Sequence, residues 1–292
     1  MSEKTTSRPA ADSGTIDLGG ELTVNRLGFG AMRLTGDGIW GPPKDPATAI
    51  AVLRRAVELG INFIDTADSY GPNVSEELIA EALAPYPKNL AIATKGGWNR
   101  PGANQWTHDA SPAHLREAVE GSLKRLRLGR IDLYQLHVPD PMVPFDASME
   151  TLANMQSEGK IRLVGLSNVT VEHIERARKV VPIVSVQNRY SFADREWDNV
   201  VDYCEANGIA FIPWFPLGAG RVAGKLLQRI AKARQVKPIQ IALAWLLKRS
   251  PVMLPIPGTS SIAHLEENIQ AASLQLSEKE YLELTGITEL AS

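Results

Sequence analysis

Residues 62–71 read Asn-Phe-Ile-Asp-Thr-Ala-Asp-Ser-Tyr-Gly. The stretch begins as a short apolar run and stops at a carboxylate, Asp65. Just upstream, Asp45 and Pro46 open a segment with apolar residues at helical spacing, and Gly60 ends it. A helix feeding a short buried run is one unit of a parallel sheet. Working outward, the same kind of run recurs at 28–32, 90–95, 131–137, 162–168, 183–188, 209–215 and 252–258. These runs are almost continuously apolar, as strands covered on both faces are. Ser111-Pro112, Asp146, Thr170, and Ser277 with Glu280 three residues on, open further helices between or after them.

Each run turns polar at Gly30, Asp65, Lys95, His137, Ser167, Gln187, Trp214 and Pro257, in steps of 35, 30, 42, 30, 20, 27 and 43 residues. One strand–helix unit needs roughly 30 residues, and the 20-residue step implies a compact one. Eight units with no break in composition predict a single α/β domain, a (β/α)₈ TIM barrel, over residues 15–292. An open doubly wound sheet is the alternative. Against it, the turn at 28–32 has Gly-x-Gly but neither a third glycine nor an acidic partner at about 20 residues. Residues 15–24, Thr-Ile-Asp-Leu-Gly-Gly-Glu-Leu-Thr-Val, read as a hairpin turning at Gly19-Gly20. Residues 1–14 read as a flexible polar tail.

Composition excludes several classes. The 292 residues hold 31 Lys+Arg against 33 Asp+Glu, a balance unlike that of a nucleic-acid binder. Hydrophobic residues at 44% and charged residues at 22% fit a globular chain, which at this length can bury about three-quarters of its surface. One cysteine, Cys204, permits no internal disulfide and no cysteine-rich metal site, and its place in a helical stretch suggests a buried thiol. Neither a signal peptide nor a run of ~18 apolar residues is evident, so the expectation is a cytoplasmic protein without membrane association.

Barrels of this kind gather their chemistry at the C-terminal strand ends. Here those ends carry Asp65, Lys95, His137, Ser167, Asn168 and Gln187, and Tyr70 follows Asp65 by five residues. Any one has an ordinary explanation as a cap or rim residue. Together they form a set suited to protonating a carbonyl oxygen. An ammonium lowers a phenol's pKa, a carboxylate holds the ammonium, and a neutral imidazole orients the oxygen. No serine nucleophile and no metal cage is apparent.

Residues 62–71, with Ile-Ala-Thr-Lys-Gly-Gly (92–97), Leu-His-Val-Pro-Asp (136–140), Val-Gly-Leu-Ser-Asn (164–168) and Val-Gln-Asn-Arg-Tyr (186–190), resemble the aldo-keto reductase superfamily over residues 15–288. Residues 28–45 and 254–268 further resemble the branch that includes bacterial pyridoxal reductases. The resemblance implies a barrel closed at its base by a hairpin, a catalytic tetrad of Asp65, Tyr70, Lys95 and His137, and a monomer. It also implies NADPH, with NADH as the alternative, as reductant of a small-molecule carbonyl substrate.

Implied cofactor contacts are Gly30, Ala31, Met32 and Asp65, then Ser167, Asn168 and Gln187 at the carboxamide. Trp214 stands where the family usually stacks a tyrosine. Phe215, Pro216, Leu217 and Gly218 follow, then Gly258, Thr259, Ser260, His264, Glu267 and Asn268 toward the adenosine. Many relatives carry Lys and Arg at the positions of Gly258 and His264, whereas residues 254–272 contain neither type. Arg221 and Lys225 are the nearby alternatives for the phosphate. Trp40 and Trp98 are expected as substrate walls, flat enough for a planar aldehyde such as pyridoxal. A second reading is a regulatory subunit that binds the cofactor with little turnover.

Overall fold

The computed structural model describes residues 8–216 and 224–290. An antiparallel hairpin comes first, β1 (Thr15–Leu18) with β2 (Leu22–Asn25), and Gly19 and Gly20 take its turn at φ 66° and 74°. Seven parallel strands then form one curled sheet: β3 (Phe29–Gly30), β4 (Phe63–Asp65), β5 (Ala91–Gly96), β8 (Ile131–Leu136), β9 (Ile161–Ser167), β10 (Ile183–Gln187) and β11 (Ala210–Phe211). Each pairs with the next in that order. Between β5 and β8 lies a separate antiparallel hairpin, β6 (Trp98–Gly102) with β7 (Gln105–His108), which the sequence reading did not anticipate.

The eighth apolar run closes the ring. Phe211 N donates to Val252 O and Leu254 N to Phe211 O on one side, and Gly28 N donates to Pro255 O on the other. The run is extended but makes few ladder bonds, because Pro255 and Pro257 have no N–H to give. The (β/α)₈ barrel expected from the eight runs is therefore present. The hairpin β1–β2 sits at its base: a β-carbon on Gly19 would lie 2.7 Å from Val184 Cγ1, near the start of β10.

The helices are α1 (Pro46–Glu58), α2 (Val74–Leu83), α3 (Pro112–Leu126), α4 (Phe145–Ser157), α5 (Val171–Ala177), α6 (Asp198–Asn207), α7 (Lys225–Arg234), α8 (Pro238–Arg249), α9 (Ile262–Ile269) and α10 (Glu278–Leu290). Asp45, Ser111 and Thr170 cap α1, α3 and α5 as the sequence suggested. Asp146 does not cap α4; Pro144 holds that position and Asp146 lies in the first turn. Cys204 is buried on α6, and burial pushes its thiol up to about 12. Within the segment read as a tail, Pro9–Ser13 form a 3₁₀ turn, with Ala10 buried and bonded to Leu59 O. Among the described residues no helix is long and apolar enough to cross a membrane.

Candidate active site

β4 and β5 are neighbours, so their C-terminal ends bring Asp65 and Lys95 together. Lys95 is fully buried, and its ammonium donates to Asp65 Oδ1 at 2.7 Å, to Thr66 O at 2.7 Å and to Tyr70 Oη at 3.4 Å. Asp65 Oδ2 accepts from Gln135 Nε2 at 3.1 Å and from Gln187 Nε2 at 2.8 Å. Both carboxylate oxygens are thus held, which is what keeps a buried charge tolerable.

His137 follows β8. Its ring meets the Tyr70 ring edge-on with centroids 5.9 Å apart, and its Nδ1 lies 3.4 Å from Ser69 Oγ. The four residues expected as a tetrad are therefore gathered at one barrel mouth.

The electrostatics differ in one respect from the sequence expectation. Burial pushes the Tyr70 phenol above its ordinary value, and Lys95 only partly pulls it back. The expected net lowering by Lys95 is corrected: desolvation wins, and the phenol keeps its proton. Burial alone would lower Lys95, but the charge of Asp65 and its hydrogen bond reverse this, so the ammonium stays charged. Burial, reinforced by Lys95, holds His137 well below the ordinary imidazole value, so the ring is neutral.

Above this cluster lies a cavity of about 780 Å³. Asp65, Tyr70 and His137 line it, as do Gly30, Met32, Ser167, Asn168 and Gln187. Trp214, Phe215 and Pro216 form part of its wall. At the far end stand Gly258, Thr259, His264, Glu267 and Asn268. Asn168 donates to His137 O at 2.9 Å and Ser167 Oγ at 3.1 Å, and accepts from Trp214 Nε1 at 3.1 Å. Its amide is thus committed to holding strand ends and the Trp214 indole. Ser167 Oγ accepts the Asn168 bond, and among the described residues its hydroxyl proton has no acceptor.

Some expected contacts do not line the cavity. Ala31 is fully buried behind it, Ser260 is exposed, and Lys95 lies beneath. Trp98 lines the cavity, but Trp40 does not; its ring packs instead 5.7 Å from Arg100. Lys225 is exposed at the start of α7, and Leu217, Gly218 and Arg221 lie outside the described residues.

The structure adds residues that sequence reasoning missed. Trp106, from β7, faces His137 edge-on with centroids 6.5 Å apart. Ile39 and Arg33 also line the cavity. A β-carbon on Gly258 would stand 3.7 Å from Arg33 Cγ, and the guanidinium lies 5.9 Å from the Phe215 ring. The cation-free segment 254–272 thus has an arginine beside it, contributed by the turn after β3. Its signal was present, one residue beyond Met32.

The cavity suits an extended, phosphate-bearing ligand. A β-carbon on Gly30 would come within 2.7 Å of Ile256 O, and one on Gly258 within 2.5 Å of Gly30 O. These two turns touch through backbone, which leaves the trough over them open. The α9 N-terminus, capped by Ser261, borders the far end through Thr259 and His264.

Comparison with known proteins agrees with this arrangement. The family model described as "Aldo/keto reductase family" matches residues 26–289. An uncharacterized oxidoreductase of Schizosaccharomyces pombe is 53% identical over 277 residues, 94% of this chain and 90% of the relative. Pyridoxine 4-dehydrogenase of Escherichia coli is 46% identical over 283 residues, 94% of this chain and 99% of that enzyme. Among solved structures, an aldo-keto reductase from Klebsiella pneumoniae in complex with NADPH superposes with a TM-score of 0.80 at 26% identity, covering 94% of each chain.

Proposed function

Because the chain belongs to the aldo/keto reductase family, and so is an NAD(P)H-dependent oxidoreductase, we propose that it reduces a small aldehyde or ketone with Tyr70 as proton donor and pyridoxal as a fitting substrate. The observation that carries this reading is the Tyr70 phenol at 3.4 Å from the Lys95 ammonium, itself 2.7 Å from Asp65, beside one cavity. A phenol that keeps its proton is ready to donate one. The buried ammonium stabilises the phenolate left behind, and Asp65 keeps that ammonium charged and in place. Neutral His137 can donate a hydrogen bond to the carbonyl oxygen without competing as an acid.

NADPH, which a structural relative contains, would supply the two-electron reducing equivalent when bound. In this reading Ser167 and Gln187 would orient its carboxamide, Trp214 would stack on the ring, and Arg33, Thr259 and His264 would meet its phosphates; their common place in the cavity lining supports it. Trp98 and Trp106 offer flat walls beside His137 that suit a planar heteroaromatic aldehyde.

The test is NADPH fluorescence quenching together with loss of absorbance at 340 nm, using pyridoxal beside a small aldehyde panel. Tyr70→Phe should lower kcat by ~10²–10⁴-fold while NADPH binding is kept. Turnover of other carbonyls but not pyridoxal would discard only the substrate. Binding without any turnover would favour the regulatory-subunit reading.

A further inference from the structure

Arg100 stands on β6, and the chemistry above makes no use of it. Its guanidinium is nonetheless held from three directions. Nε donates to Gln105 O at 2.9 Å, Nη1 to Ser69 O at 2.8 Å and Nη2 to Gly38 O at 3.0 Å. These carbonyls belong to three separate loops at the barrel mouth: the β6–β7 hairpin, the loop carrying Tyr70 and the loop carrying Trp40. The same group stacks on Trp106, with Cζ 3.7 Å from the ring centroid. Trp106 in turn meets Trp98 edge-on at 5.8 Å and His137 at 6.5 Å.

The hairpin needs such a clamp. A lone two-stranded ribbon is marginal in water. This one is also irregular, because its register shifts between Asn99 and Gly102, the stretch that contains Arg100. Ladder bonds therefore do not by themselves set the height of Trp106 above His137. A planar cation with five forked donors can satisfy several carbonyls while presenting its face to an indole; an ammonium on a flexible stem cannot.

We propose that Arg100 is a positioning residue for substrate selectivity, which by tying β6–β7 to Ser69 and Gly38 fixes the Trp106 indole as a flat wall beside His137 and so favours planar aromatic aldehydes over small aliphatic ones. The inference rests on the carbonyl-reductase reading above. An aromatic ring offers that wall a larger flat contact than a short aliphatic chain does. The wall is thus binding energy contributed by the non-reacting part of the substrate.

The test compares pyridine-4-carboxaldehyde with propanal in the wild type, Arg100→Ala, Arg100→Lys, Trp106→Leu and the Arg100→Ala/Trp106→Leu double variant. Each single variant should lose about 10-fold in kcat/KM for the aromatic aldehyde, mainly through KM, as expected for removal of one hydrophobic contact surface. In the two Arg100 variants propanal should change by less than about twofold, and the NADPH Kd should stay put. Arg100→Lys keeps charge and stem but not the fork, so it should lose selectivity as Arg100→Ala does. The double variant should be no worse than Trp106→Leu, because the two residues act as one unit. Equal losses for both aldehydes, or additive losses in the double variant, would overturn the inference while leaving the reductase reading intact. Failure of the wild type to turn over either aldehyde would remove that reading, and this inference with it.

Discussion

At the scale of single residues, Asp65, Lys95 and His137 were legible because buried strands do not end in charged or imidazole side chains by propensity. Gln135 was not. It lies inside an apolar run and shows its purpose only when its amide reaches Asp65 across the sheet. Asp68 was hidden in the same way, one turn from Tyr70. It is buried with one oxygen, Oδ1, lacking a hydrogen-bond partner among the described residues. Nearby Glu76 is fully buried and held by Arg125 and Thr94. Burial first, and then the charge of Glu76, push Asp68 up to about 8 from 3.8. The folded chain thus keeps a proton that the unfolded chain releases, and the stability from this group is lost as pH rises between about 4 and 8. Asp68→Asn removes that dependence. Its unfolding free energy relative to wild type should rise by more than ~1 kcal/mol between pH 5 and pH 8, read from urea titrations at both values. A difference that stays constant with pH would contradict the assignment.

At the scale of elements, helix starts were readable because a cap is a local device: Ser111 and Thr170 bond backbone N–H groups three residues away. The hairpin β6–β7 was not readable. Its strands are mostly exposed, so no apolar alternation marks them, and Trp106 was overlooked with the element that carries it. The meeting of the turn after β3 with the turn before α9 was equally silent, because it depends on two glycines 228 positions apart that only the closed barrel brings together. That contact gives a sharp expectation. In Gly258→Ala the new methyl would stand 2.5 Å from Gly30 O, a backbone atom that cannot swing aside. The turns must separate, at a cost of ~1–3 kcal/mol in urea unfolding, with weaker quenching of NADPH fluorescence on titration. Gly129→Ala is the control. Gly129 lies outside the left-handed φ region and has no atom of the described residues within 4 Å of a β-carbon, so both readouts should hold.

At the scale of the whole molecule, the closed barrel was legible because its unit repeats eight times; how its seam is held was not, because the closing run makes few ladder bonds. Pro255 and Pro257 withhold two ladder donors at the seam between β11 and β3. A side chain supplies donors nearby. Arg26, just after β2, donates through Nη2 to Leu247 O and Ser250 O at 2.6 Å each, and through Nε to Met253 O at 3.3 Å. Leu247 lies in the last turn of α8, whose carbonyls have no helical partner. One cation therefore ties the basal hairpin to the end of α8 and to the start of the closing run. This cluster lies at the base, away from the mouth that holds Tyr70, and basal residues of a barrel serve stability more than chemistry. Arg26→Met keeps much of the apolar stem but takes the side-chain donor from Leu247 O and Met253 O, while Ser250 O keeps Met253 N, at a cost of about 2–4 kcal/mol. The unfolding free energy from urea titration should fall by that amount, while kcat and NADPH affinity at 25 °C stay within about twofold, since the variant remains folded there and the mouth is untouched. A parallel fall in kcat would mean that the seam at the base and the geometry at the mouth are mechanically coupled, and that the two ends of this barrel cannot be tuned apart.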